Sequence, residues 1–293
     1  MELIKNSSKN SRGILYYSSE VIKTILTYLT LVLISLLVVT PILWIIGSAF
    51  NDSASLIGAN LLPKDPSLDN FKALFNSNEF HFGQWYFNTF KIAVINMCLS
   101  VLLTLLSSYV FSRFSFRGKK TGLITMLVLQ MFPSFMSMIA IFNILNQMNL
   151  VNSHLGLILT YAAGQIPYNT WLVKGFMQNI PRSLDEAAKL DGASNARIFS
   201  SVIVPLSKPI LTFVALSQFM APWMDFILPN LLLRNDDKRT LAIGLFAMVT
   251  GNTNENFGMF AAGCLLVALP ITILYVCLQK YLIEGIMAGA NKA

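Results

Sequence analysis

The chain has 293 residues, of which 55% are hydrophobic and only 12% charged. A soluble domain carries about 25% charged residues, so the composition excludes an ordinary water-soluble fold and indicates a polytopic membrane protein. The net charge of +7 has to be read by location, and the three cysteines (Cys98, Cys264, Cys277) lie in apolar runs that offer neither a disulfide framework nor a metal-binding pair.

Residues 1–24 are polar and carry Lys5, Lys9, Arg12 and Lys23. The first apolar run, Ile25 to Ile46, exceeds the roughly 7–15 residues of a signal-peptide core, and no small-residue cleavage site follows. It reads as an uncleaved first span. Residues 51–89 read as a loop with Pro63 and Pro66, and Trp85, Tyr86 and Phe87 suit a membrane interface. The second span is expected at Phe90 to Ser112, followed by the basic loop Arg113, Arg117, Lys119 and Lys120. The third, Leu123 to Leu145, contains Pro133, and the fourth, Leu155 to Phe176, contains Pro167. The fifth, Ile210 to Leu232, contains Pro222 and Pro229. A polar loop over residues 234–258 precedes the sixth span, Phe260 to Ile283, which contains Pro270. Each run is near the ~20 residues needed to cross hydrocarbon. Such prolines are tolerated where neighbouring helices or a watery cavity satisfy the freed backbone groups.

Basic residues orient the spans. Fifteen Lys and Arg fall on the side holding both termini and six on the other, so the termini are expected in the cytoplasm. This distribution over four membrane-proximal segments argues against nucleic-acid binding. The competing explanations for the positive charge therefore reduce to topology.

Between the fourth and fifth spans lies a polar island, Pro181 to Pro209. Ser183 followed by Glu186 reads as a capping box. Leu184, Ala187, Ala188 and Asp191 follow at helical spacing, and Gly192 is the expected stop. Ser194 is placed to cap a second short helix that Pro205 should end. Small Ala187 and Ala188 would let another surface approach, with Arg182, Asp185, Glu186, Lys189 and Asp191 fixing its register. The plain alternative is a capped surface helix-turn-helix in which Glu186 is only a cap.

Glu186-Ala187-Ala188, then Gly192, then Val202-Ile203-Val204-Pro205 resembles the E-A-A loop of ABC-importer permeases, with V-x-V-P where the family has I-x-L-P. Leu228 to Arg234, Leu241 to Leu245, Ala268 to Ile271 and Glu284 to Lys292 are similar to the carbohydrate branch, maltose/maltodextrin type. The resemblance implies an all-α, type I permease fold: six transmembrane helices in one domain spanning 1–293. Within it, 1–84 hold the N-terminal tail, first span and outer loop, 85–290 the five-span core, and 181–209 the cytoplasmic coupling loop. It further implies a bacterial cytoplasmic membrane and a heterodimer with a second permease. Two ABC ATPase subunits and an extracytoplasmic sugar-binding protein complete the implied assembly. Glu186, Ala187, Ala188, Gly192, Asp185, Asp191 and Pro205 would couple to the ATPase.

No cofactor is expected on this chain. The one Gly-Lys pair, Gly118-Lys119, is followed by Lys120 and lacks the upstream glycine of a P-loop, so ATP and Mg are expected on a partner ATPase and no catalytic activity here. His81 and His154 stand alone, without a metal-ligand pattern. Asp225 is the ionisable residue that stands out within a span, where such groups usually face a cavity or partner. Trp223 beside it offers a flat face for a sugar ring, and Gln218 is a weaker companion; the alternative is that Asp225 sits near the outer interface and caps or pairs locally. The polar run with Asn252, Asn254, Glu255 and Asn256 is expected to contact a binding protein, or else to be a solvated loop. A self-sufficient secondary transporter is the competing class. It would need inverted repeats and more intramembrane charges.

Overall fold

The computed structural model describes residues 2–51, 63, 66–77, 79–250 and 257–290. No strand occurs among them, and the helices follow the apolar runs with several displaced ends. Helix α1 is Glu2–Ala49, α2 Asp69–Asn76 and α3 Phe82–Arg113. Then follow α4 Lys119–Gln130, α5 Ser134–Gln147 and α6 His154–Gln178. The polar island holds α7 Arg182–Leu190 and α8 Asn195–Ile198, a π-turn over Phe199–Ile203, and α9 Val204–Leu206. The chain continues as α10 Lys208–Met224, α11 Ile227–Leu232, α12 Leu241–Thr250 and α13 Phe257–Ala290.

Segments Glu20–Ala49, Phe82–Arg113 and Phe257–Ile283 are long and apolar enough to cross a membrane. Two bent pairs add up to two more: α4 with α5, turned by 105° beside Pro133, and Asn195–Leu206 with α10, turned by 75° at Ser207. Helix α6, the expected fourth span, has 25 residues, about 37 Å of helix, but is more polar than these. Its polar side chains Asn169 and Thr170 are buried in the bundle. Helix α1 leaves its apolar surface exposed as far as Leu43 and joins the bundle only near its end, where Trp44 meets Phe257 at 5.3 Å.

The bundle is built on α3. Asn96, Ser100, Thr104, Ser108 and Ser112 recur every fourth residue and are all buried. Small polar side chains at that spacing allow close helix approach in a membrane, and α6 and α10 pack on this helix. Helix α3 also repairs the proline breaks. Pro222 removes the N–H that would bond the Gln218 carbonyl; Asn96 Nδ2 donates to that carbonyl at 2.8 Å. Pro270 likewise frees the Leu266 carbonyl, and the Tyr86 hydroxyl donates to it at 3.2 Å. At these two breaks a neighbouring helix, not water, satisfies the backbone.

Three expectations change. Helix α3 starts at Phe82, so the aromatic cluster is helical, and Trp85 is a core residue 1% exposed, not an interface anchor. The segment 234–258 is not a polar loop throughout: Leu241–Thr250 form apolar α12, too short to span, with Leu241, Leu245 and Met248 buried. Gly244 makes that packing possible, since a Cβ there would overlap the Trp85 indole. Pro205 does not end the second short helix. The chain winds through the π-turn into α9, which holds Pro205 in its first turn, and breaks at Ser207. The wider π-turn relieves the clash a proline ring makes with the preceding turn. Pro209 then restarts the helix, in the first turn of α10, where its missing N–H costs nothing.

Candidate functional site

The polar island forms a two-helix ledge at one end of the bundle. Helix α7 does not begin as expected. Pro181 occupies the N-cap position in extended geometry, no side chain caps the helix, and Ser183 lies within its first turn. Proline's fixed φ places the chain in that extended entry without a side-chain bond. Glu186 is therefore not half of a capping box; it is exposed. The other end is as expected. Gly192 has φ +78°, Ala193 N–H donates to the Ala188 carbonyl at 2.9 Å, and Gly192 N–H donates to the Lys189 carbonyl at 3.0 Å. That pair of bonds is a Schellman closure, accompanied by the apolar pairing of Ala188 and Ala193 in one cluster. Ser194 Oγ then accepts from Arg197 N–H at 3.3 Å and caps α8.

One buried ion pair fastens the ledge. Arg113, the last residue of α3, meets Asp185 at 2.8 Å, their side chains 6% and 14% exposed. Arg113 also donates to the Ile180 carbonyl at 3.2 Å, and the Tyr109 hydroxyl to the Asn195 carbonyl at 3.2 Å. Between them is a cleft of about 180 Å³, bordered by Tyr109, Arg113, Arg182, Asp185, Glu186 and Lys189.

The two alanines face opposite ways. Ala188 is half-buried and packs on the protein's own apolar cluster, whose members include Val173, Met177, Ile198 and Ile203. Ala187 is exposed, as are Asp191 and Leu190, the last 90% exposed. The outward surface is thus Ala187, Leu190, Asp191 and Glu186, while Ala188 and Asp185 anchor the ledge inward. Arg113 was missed from sequence, where it counted only as a topological charge. Its position next to a buried serine stripe is the signal that sets it apart.

A second polar site lies where α10 breaks. The Asp225 carboxylate caps α11, its Oδ1 accepting from the N–H groups of Ile227 (3.0 Å) and Leu228 (3.4 Å). Its Oδ2 accepts from the Tyr161 hydroxyl at 2.9 Å. Asp225 and Gln218 both border a cavity of about 420 Å³, with Gln130, Tyr161 and Gln165 as further polar members. Trp223 does not join them. It is 4% exposed and packs on Tyr86 at 5.2 Å and Phe219 at 6.0 Å. Helical geometry turns it to the face opposite the cavity, which does not fit a sugar-stacking platform. Asn252, Asn254, Glu255 and Asn256 lie outside the described residues.

The segment leading to them is held firmly. Trp85 Nε1 donates to the Asp236 carbonyl at 2.9 Å. Asn88 Nδ2 donates to the carbonyls of Asp237 at 2.9 Å and Arg239 at 3.0 Å. Asn152 Oδ1 accepts from Arg234 N–H (3.0 Å) and Asn235 N–H (3.2 Å), and Lys238 Nζ donates to the Asn152 carbonyl at 3.0 Å. Leu241 N–H donates to Thr89 Oγ1 at 2.8 Å. No cluster of three or more potential metal ligands occurs among the described residues.

Residues 98–287 match the family described as binding-protein-dependent transport system inner membrane component. A galactooligosaccharides transport system permease protein of Bacillus subtilis is 42% identical, over 92% of this chain and 96% of its own. A maltodextrin transport system permease protein of Streptococcus pneumoniae is 40% identical, over 91% and 95%. Among solved structures, a bacterial ABC transporter involved in importing the acidic polysaccharide alginate has a chain that superposes with a TM-score of 0.79 at 24% identity. The match covers 90% of this chain and 97% of that one. A chain from a bacterial alginate ABC transporter in complex with an alginate pentasaccharide-bound periplasmic protein gives 0.65 at 13% identity, covering 86% and 91%.

Proposed function

The chain belongs to the family of binding-protein-dependent transport system inner membrane components and is a permease subunit of a carbohydrate ABC importer, in which we propose that α7 and α8 form the contact with a separate ATPase. The observation that carries this reading is the ledge. Arg113–Asp185 ties it to α3, and Ala187, Leu190 and Asp191 present an exposed surface outward, part apolar and part acidic. A push on that surface would pass through the ion pair to the helix on which the bundle is built. Alternating access then follows as a population shift: whatever binds one arrangement of the spans more tightly favours it.

The remaining assignments rest on this frame. The relatives' cargoes, galactooligosaccharides and maltodextrin, support an oligosaccharide as substrate. ATP and Mg²⁺ belong to two ATPase partners. A second permease would cover the exposed apolar length of α1 together with lipid. The side holding the ledge and both termini is cytoplasmic by its excess of basic residues. An extracytoplasmic binding protein would meet the opposite end near residues 234–258; the complex of a fold relative with a periplasmic protein supports that partner class. A self-sufficient secondary transporter is not supported, since the matched relatives are components of transport systems.

Ala187→Trp tests the contact. It adds bulk outward without touching the bundle. With the ATPase co-expressed, this variant should insert normally, lose ATPase recovery on purification and lose uptake. Normal recovery and uptake would sink the ledge as the contact.

A further inference from the structure

The cavity at the α10–α11 break has a feature that the importer role alone does not require. Asp225 is the one acidic residue in its lining, and among the described residues no Lys, Arg or His borders it. The carboxylate is held by donors from two elements, Ile227 and Leu228 N–H on one oxygen and the Tyr161 hydroxyl on the other. A carboxylate oxygen can accept two hydrogen bonds, so Oδ2 keeps acceptor capacity toward the space it borders. Gln218, Gln165 and Gln130 add amide groups to the lining, and Phe135 adds an apolar ring. A saccharide presents the matching chemistry, with hydroxyls at its edges and C–H faces above and below the ring. The volume of about 420 Å³ falls within the range of small-molecule pockets. Surrounding lipid does not account for this lining, because polar groups at membrane depth are costly unless they face a cavity or a partner.

We propose that this cavity is a subsite for neutral saccharides carried by this subunit, in which Asp225 accepts sugar hydroxyls and its charge turns away anionic sugars. A carboxylate in such a space repels a uronate, and no cationic side chain among the described lining residues offsets it. Tyr161 is a positioning residue that acts through Asp225. The inference rests on the importer reading above.

The test is equilibrium binding of maltotriose and of an alginate trisaccharide to the assembled transporter in nanodiscs, without binding protein, alongside sugar uptake by the complete system. The wild-type complex should bind maltotriose and prefer it over the uronate by at least roughly tenfold. Asp225→Asn keeps an amide oxygen to cap α11 but loses the charge. It should weaken maltotriose binding roughly tenfold and narrow the discrimination, which a purely structural role would not move. Tyr161→Phe should weaken maltotriose binding a few-fold and leave discrimination intact. Failure of wild type to bind maltotriose at millimolar concentration overturns the subsite, as does equal affinity in wild type and Asp225→Asn. If Asp225→Asn does not assemble, equal affinity in Tyr161→Phe overturns it. Wild-type uptake with unchanged binding in the variants removes the subsite alone, whereas absence of any sugar uptake by the complete system removes the importer reading.

Discussion

At the end of the bundle that holds the polar island, α7 and α8 are fastened by one buried ion pair, Arg113–Asp185, two side chain–backbone bonds and a small apolar floor. At the opposite end, residues 234–241 are held by a series of side chain–backbone bonds with Trp85, Asn88, Thr89 and Asn152. The contrast is between concentration and redundancy. Each bond of the second set is worth about 1 kcal/mol net, and the others persist when one is lost. Removing one member of a buried ion pair strands the other and costs about 3–5 kcal/mol. The attachment of the ledge therefore depends on one contact, whereas that of residues 234–241 is shared among several.

Breaking the joint should have the largest effect. Arg113→Ala leaves Asp185 without its charge partner, so the ledge should detach at a cost of about 3–5 kcal/mol. Hydrogen exchange over residues 182–197 should then rise sharply and ATPase-coupled uptake should disappear. The paired variant Arg113→Met with Asp185→Leu should restore protection. Protected amides in Arg113→Ala alone would show that the joint lies elsewhere.

Ala188→Trp should come next. The side chain faces the permease's own bundle, so overpacking of about 1–3 kcal/mol should dislodge α7 from within. Increased exchange of α7 amides in the permease before any ATPase is added separates this from a block at the outward surface.

Gly192→Val should cost about 1–2 kcal/mol, the penalty of a left-handed backbone for an ordinary residue, since φ is +78° and a Cβ would meet nothing within 4 Å. Gly192→Asn should be milder, because asparagine tolerates that region. Equal uptake in the valine and asparagine variants would remove the conformational explanation.

At the opposite end, Asn88→Ala deletes two bonds and should loosen residues 236–239 by about 1–2 kcal/mol, read as a modest rise in proteolysis of that segment with uptake retained. A collapse as severe as that of Arg113→Ala would end the distinction between the two ends. The smallest effect is expected from Glu186→Gln. The residue is exposed and caps nothing, so permease stability should change by less than about 0.5 kcal/mol. A fall in ATPase affinity would then report its charge directly.

Sequence alone determined what short-range chemistry decides. The apolar runs placed the helices, Gly192 marked a positive-φ stop, and Ser194 capped α8, because each depends on residues within one or two turns. The start of α7 was misjudged even locally: Pro181 supplied the extended entry that Ser183 was expected to provide. Only the tertiary structure decided the rest. It turned Ala188 inward and Ala187 outward, buried Trp223, folded Leu241–Thr250 against Trp85, and joined Arg113 to Asp185. It also supplied donors for the carbonyls that Pro222 and Pro270 set free, Asn96 and Tyr86. Those partners lie 122 and 180 residues from the carbonyls they satisfy. No local pattern specifies such a pairing; it exists because α3 packs against α10 and reaches α13 through the Tyr86 side chain.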